Sequence, residues 1–147
     1  MYYTTMIIGE NLLKICLLIN SQLRTIAKSL HISYSQLIIL LNIPADGISL
    51  SLLSSNIGID NSTLTRNIEK IIAQKFVLIK PNINDKRKKI IFLTEFGFSS
   101  QHSIEKKFNN FIKKNIGDDI DLNALTLADE TLSSIIWGLE LSSNNNE

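Results

Sequence analysis

The chain has 147 residues, 44% of them apolar and 20% charged, with six glycines and two prolines; this is the make-up of one globular domain with its own core, and it excludes collagen-like, low-complexity and disordered readings. A single cysteine excludes an internal disulfide framework, and two lone histidines, His31 and His102, exclude a His/Cys metal cluster, so no metal and no cofactor is expected. The net charge is only +1, but residues 60–90 carry eight Lys or Arg against three acids, whereas residues 115–147 carry seven acids and no Lys or Arg; one stretch suits a polyanion and the other does not.

Isoleucine (25) and leucine (21) far outnumber alanine (5), and asparagine (15) and serine (16) supply much of the polarity. This reads as a coding bias, which makes composition a poor guide to function. Residues 6–20 are apolar but interrupted by Glu10 and Lys14, with no basic leading region and no small-residue cleavage site. The stretch reads as neither a signal peptide nor a membrane span, and a cytoplasmic location is expected.

Residues 5–30 place apolar side chains at 12, 16, 19, 23, 26, 27 and 30, which is helical spacing. Leu13, Ile15 and Leu17 lie on other faces. A helix apolar over so much of its circumference needs more cover than one small domain supplies, which implies a second subunit. Ser33 and Gln36 form a capping box before a short buried helix over residues 37–43, which Pro44 stops. A turn follows at Ala45, Asp46 and Gly47. Ser49 caps the next helix, with Leu50, Leu53 and Ile57 as its apolar face, and Gly58 fills the left-handed closing position. Asp60 caps a helix reaching about residue 74, apolar at 64, 68, 71 and 72, with Asn61, Ser62, Thr65, Arg66, Asn67 and Lys70 opposite. These two helices and their short turn make a helix-turn-helix pattern.

Residues 77–80 and 89–93 are β-branched, apolar runs separated by turn formers and lysines, and they read as a β-hairpin with a basic tip. Thr94 begins another helix, striped by Ile104, Phe108, Phe111, Ile112 and Ile116 and broken at Gly117, Asp118 and Asp119. The last helix, residues 122–141, carries Leu125, Ala128, Leu132, Ile135, Ile136 and Leu139 on one face and Leu127, Ser134, Trp137 and Leu141 on another. The polar tail after it is expected to fray.

A helix-turn-helix followed directly by a basic hairpin is a winged helix. A helix start rich in small polar side chains fits a major groove and offers Asn, Ser, Thr and Arg to base edges and phosphates. A basic hairpin beside it reaches the adjacent minor groove, where arginine favours narrow A·T-rich stretches.

The wing runs Asp85, Lys86, Arg87, five residues, then Leu93, Thr94, Glu95, Phe96, Gly97. It resembles the D-x-R, five residues, L-T-x-x-G pattern of the MarR family of transcription regulators at every fixed position. The stretch from Asp60 to Arg66 is also similar to that family's recognition helix. The resemblance runs from about residue 12 to residue 141. It implies a mainly α fold with a small β-hairpin wing: one domain over residues 1–147, with a winged-helix lobe at 33–97 and dimerisation helices at 5–30 and 98–142. It implies a homodimeric regulator of transcription, a repressor more readily than an activator, on pseudo-palindromic duplex DNA. Asp85 would hold Arg87 in place while Arg87 enters the minor groove. The sequence departs from the pattern in three places: Phe76 stands where the family has a glycine, Lys80 where it has an arginine, and Ser54 where it has an alanine.

The expected DNA contacts are Asn61, Ser62, Thr63, Thr65, Arg66 and Lys70 on the helix and Lys86, Arg87, Lys88 and Lys89 in the wing. Cys16 and Tyr34 are similar to the cysteine and tyrosine with which some relatives sense hydroperoxides. Cys16 falls in the apolar stripe, however, and no positive partner is visible to lower its pKa, so a buried, inert thiol is expected. Trp137 and Phe92, Phe96, Phe98, Phe108 and Phe111 are expected in the core or the dimer interface, or around a small apolar or phenolic ligand. Two alternatives stand beside this: a redox-sensing regulator of the same fold with Cys16 as its switch, and, from another class, a winged helix used for protein interaction with little DNA affinity. No nucleophile–base pair and no phosphate-cradling glycine loop is present, so no enzyme is expected.

Overall fold

The computed structural model describes residues 2–82, 85, 88–116 and 121–144. The elements follow in the order α1 (Tyr2–Ser29), α2 (Tyr34–Leu41), β1 (Ile48–Ser49), α3 (Leu50–Ile57), α4 (Asn61–Ala73), β2 (Val77–Pro81), β3 (Lys89–Leu93), α5 (Glu95–Ile116) and α6 (Leu122–Asn144).

Side chains at the helix starts fix three of these boundaries. The Ser33 hydroxyl accepts from the Gln36 amide at 3.2 Å while Gln36 Oε1 accepts from the Ser33 amide at 2.7 Å, the reciprocal pair of a capping box. Ser49 Oγ accepts from the Leu52 amide at 3.3 Å, and Asp60 Oδ1 from the Thr63 amide at 2.9 Å.

Three helices end in left-handed residues, only one of which is a glycine. Gly58, at φ 73°, donates to Ser55 O while Ile59 donates to Ser54 O. The same paired bonds close α4, where Lys75 (φ 65°) donates to Ile72 O at 2.8 Å and Phe76 to Ile71 O at 2.9 Å. They also close α1, where His31 (φ 56°) donates to Lys28 O and Ile32 to Ala27 O. This is the Schellman arrangement, which satisfies the last carbonyls of a helix. Its left-handed residue in α4 is therefore Lys75, and Phe76, the residue that departs from the family's glycine, is buried beyond it. Gln74 Nε2 donates to His31 O at 3.3 Å, tying the two ends together.

The strands form one antiparallel sheet in the order β1-β3-β2, with Ile48 and Ile79 both paired to Ile91. The two-residue strand β1 was not anticipated. Pro81, which has no N–H to give, ends the outer strand β2, where a ladder tolerates it.

The chain divides into two compact units, Met1–Asn109 and Asn110–Glu147. The first holds the core: Leu37, Ile39 and Leu40 of α2, Leu53 of α3, Leu64, Ile68 and Ile71 of α4, Ile91 of β3 and Ile104 of α5 are fully or almost fully buried. Gln101 Nε2 donates to Leu40 O and Ile43 O, so α5 caps the end of α2. Only the end of α1 joins this core, through Ile26 and Ala27. Further back, Met6, Ile7, Ile8, Leu13, Ile15, Leu17 and Leu18 are exposed. Met6–Ser29 is long and apolar enough to cross a membrane by length and composition alone, but Ile26 and Ala27 are spent on the core and Ser29 Oγ accepts from Lys107 Nζ at 2.7 Å.

In the second unit α6 exposes nearly every described side chain, including Leu127, Leu132, Ile136, Trp137 and Leu139. Phe96 and Phe98, expected in a core or interface, are also exposed, although the Phe96 ring leans on buried Phe76 with centroids 4.9 Å apart.

Candidate nucleic-acid interface

Helix α4 puts Leu64, Ile68 and Ile71 into the core. At 3.6 residues per turn this turns Ser62, Arg66 and Lys70 to the far side, together with Glu69. Among the described residues no carboxylate lies within ion-pair distance of Arg66 or Lys70, the one such pair being His102 with Glu105 at 3.7 Å. Two cations one turn apart are thus uncommitted on an exposed helix face.

The small polar side chains of α4 are partly engaged within the helix. The Ser62 hydroxyl donates to Asp60 Oδ1, Thr65 Oγ1 donates to Asn61 O at 2.7 Å, and Asn67 Nδ2 donates to Thr63 O at 3.0 Å. Ser62 is left with lone pairs, so in this rotamer it accepts rather than donates. Hydrogen bonds from the Ser62 hydroxyl, then the Thr63 side chain and amide, hold the Asp60 carboxyl well below its ordinary value. Asp60 is therefore an ionised cap at the helix start.

The wing is closed at its base by two backbone bonds and one to a side chain. The Asn82 amide donates to Lys88 O at 2.8 Å, the Lys88 amide to Asp85 O at 2.9 Å, and the Asp85 amide to Asn82 Oδ1 at 3.2 Å. Lys80, standing where the family has an arginine, sits over the Phe92 ring at 5.7 Å. Lys88 and Lys89 are exposed and line one cleft with Asn61, Ser49 and Ser51. Lys86 and Arg87 lie outside the described residues, and with them the expected pairing of Asp85 to Arg87.

One joint connects α4, the wing and α5. Thr94 Oγ1 donates to Lys75 O at 2.6 Å and lies 3.1 Å from Phe76 O, and it accepts from the Gly97 amide at 2.9 Å. The Thr94 amide donates to Phe76 O at 3.0 Å.

No protein-family model matches this sequence, and no curated protein sequence does. Solved structures match over nearly the whole chain. A MarR protein from Peptoclostridium difficile superposes with a TM-score of 0.78 at 22% identity, covering 95% of this chain and 92% of that one. Wild-type MarR from E. coli gives 0.74 at 19% identity over 86% and 94%. A MarR transcriptional regulator from Methanosarcina mazei gives 0.73 at 20% over 92% and 98%. This is the MarR fold. Within it, the L-T-x-x-G part of the wing pattern is accounted for by the joint at Thr94 and Gly97.

Cys16 is exposed, not buried as expected. Tyr34 is engaged elsewhere: its hydroxyl donates to Asn20 Oδ1, and the Arg24 guanidinium stands 4.6 Å from its ring centre. The sequence did not place Ser49 and Ser51 beside the wing. Ser49 had a sufficient explanation as a cap, and only the tertiary fold carries α3 beside the base of the wing.

Proposed function

We propose that this chain regulates transcription by binding duplex DNA sequence-specifically as a homodimer, and that it represses by occupying promoter sites. The observation that carries this reading is the uncommitted pair Arg66 and Lys70 on the face of α4 opposite its core residues, with the basic wing on the same unit. A protruding helix with free cations and short polar side chains matches a major groove. Lys86, Arg87, Lys88 and Lys89 in the wing supply the flanking contacts, with Arg87 in the minor groove and Asp85 steadying it.

The homodimer is supported by the apolar faces of α1 and α6. Leu17, Trp137 and Leu139 are 63%, 64% and 66% exposed, far more apolar surface than a monomeric soluble protein leaves uncovered. Two such subunits would read half-sites about 10 base pairs apart. Such a role places the protein in the cytoplasm. The cleft of about 550 Å³ lined by Pro44, Leu52, Phe98 and Gln101 offers room for a small apolar or phenolic ligand that would bias the spacing of the two recognition helices. The exposure of Cys16 favours a second reading of the switch, in which oxidation of that thiol releases the DNA.

The test is binding to the DNA upstream of its own gene and to random duplex, over a salt series, for wild type and Arg87→Ala, with the mass in solution from sedimentation equilibrium. Selective binding by a dimer, weakened by Arg87→Ala, is the expected result. A protein with equal affinity for random and upstream DNA at every salt concentration is not a sequence-specific regulator, and the protein-interaction reading then takes its place. Peroxide that releases DNA from wild type but not from Cys16→Ser would assign the switch to oxidation.

A further inference from the structure

The end of α2, the turn after it, α3 and the first two turns of α5 enclose an open cleft of about 550 Å³. Pro44, Leu52 and Phe98 give it apolar walls, and the last two are 54% and 57% exposed. Large apolar side chains left open in a hollow of this size are the setting of a small-ligand site.

The polar side chains of the cleft have little left to donate. Gln101 Nε2 donates to Leu40 O at 3.0 Å and to Ile43 O at 3.2 Å, which uses both of its protons. Asn42 Nδ2 donates to Ile38 O at 2.9 Å. These bonds fix both carboxamides with their oxygens as the spare groups, and an oxygen only accepts. Asn56 adds an exposed carboxamide that can turn either way. Asp46 is the one charged group among the described residues that line the cleft, and no described cation lies within ion-pair distance of it. Its turn is fixed. The Gly47 amide donates to Pro44 O at 3.0 Å, and Gly47, at φ 83°, lies so close to the Phe92 ring that a β-carbon would stand 2.6 Å from it. A carboxylate on a fixed turn costs little ordering when a ligand pairs with it.

These groups select a ligand by charge. A carboxylate or phenolate would meet Asp46 with like charge and find no cation in the lining. A neutral hydroxyl has one proton to give and leaves the charge unmatched. A protonated amine or amidine brings positive charge for Asp46 and N–H donors for the oxygens, while an apolar body covers Leu52 and Phe98.

We propose that this cleft takes small organic cations, a protonated amine or amidine on an apolar body, with Asp46 pairing the charge. The proposal rests on the ligand-responsive reading above and names the charge of the ligand. A ligand held between Leu52 and Phe98 ties α3, which packs on α4, to the helix that follows the wing.

The test is an amide-NMR titration of the full chain with three probes that share one indole body. Tryptamine, tryptophol and indole-3-propionate carry an ammonium, a hydroxyl and a carboxylate. Tryptamine is expected to bind roughly threefold to tenfold tighter than tryptophol, with shifts centred on Asp46, Gly47 and Gln101, and indole-3-propionate to bind most weakly. Asp46→Asn keeps a turn-forming side chain of the same shape. It should bring tryptamine down to the affinity of tryptophol and leave tryptophol unchanged. Phe98→Ala removes a wall and should weaken all three probes. Both side chains are exposed, so neither substitution disturbs the core. Equal affinity for tryptamine and tryptophol, or a preference for tryptamine that survives Asp46→Asn, overturns the cation site. Tighter binding of indole-3-propionate overturns it in favour of an anionic ligand. Shifts at this cleft with none of the probes overturn it outright. The titration uses the free protein and stands apart from duplex binding: a wild type that binds no duplex overturns the regulator reading, while the three probes still decide the cation site.

Discussion

The carbonyl oxygen of Phe76 occupies the space that a β-carbon on Gly97 would need: the two would stand 1.9 Å apart. Phe76 leads out of α4 and Gly97 opens α5, so this approach sets α4 against the helix that follows the wing. The neighbour is backbone, already held by the Thr94 amide, and cannot swing aside as a side chain could. Gly97→Ala is expected to cost roughly 2–4 kcal/mol of stability, in the range of strained overpacking. Urea unfolding measures it, and a loss under about 1 kcal/mol would show that the joint is looser than its geometry.

Lys75 makes the opposite case, a left-handed position without a glycine. A side chain in that region costs about 1–2 kcal/mol, while glycine costs about 0.5–1 kcal/mol more chain entropy on folding. Lys75→Gly is therefore expected to stabilise by roughly 0.5–1 kcal/mol, and Gly58→Ala, at the matching position of α3, to destabilise. Thermal melts of the two variants should move in opposite directions. Parallel shifts would mean that the Lys75 side chain makes contacts which outweigh its strain.

These two positions mark where the sequence was legible and where it was not. Ser33 with Gln36, Ser49, Asp60 and Gly58 are local chemistry, acting within three or four residues, and each fixed a helix boundary correctly. The closures at His31 and Lys75 use the same bonds without a glycine, so nothing local announces them. The strand β1 is two residues long and exists only because Ile48 and Ser49 meet β3. Cys16 repeats at helical spacing with Leu12 and Ile19, yet periodicity cannot tell a face covered by the chain itself from one left open. For the candidate interface, the pattern of α4 pointed to Arg66 and Lys70, but the cleft at Ser51 depends on how three elements meet.

Asp60 predicts a pH dependence. Its ordinary value is 3.8, and hydrogen bonds from Ser62 and Thr63 depress it in the folded chain. The unfolded chain therefore binds this proton first as pH falls. The stabilisation is fully present above about pH 4 and is lost below that, as pH falls through the folded value. Asp60→Asn keeps a capping acceptor but has nothing to titrate. Urea midpoints between pH 5 and pH 3 should fall more for wild type than for Asp60→Asn, and equal losses would mean that the acid sensitivity lies in other carboxylates.

Arg66 and Lys70 share one face of α4 but should contribute differently to binding. Arginine has a planar fork that can pair two acceptors of a guanine edge, whereas lysine is a point charge suited to phosphate. Arg66 lies nearer the start of the helix, the end that enters a major groove, and Lys70 lies one turn further back. Arg66→Ala is expected to cost about 1–3 kcal/mol on the upstream site and much less on random duplex, so selectivity drops. Lys70→Ala should weaken both duplexes alike and lower the salt slope by about one. Competition binding with the two duplexes over a salt series distinguishes the roles. If Arg66→Ala weakens both duplexes equally, Arg66 contacts phosphate, and base reading must come from the short side chains Asn61, Ser62, Thr63 and Thr65, once their bonds within the helix are exchanged for bonds to DNA.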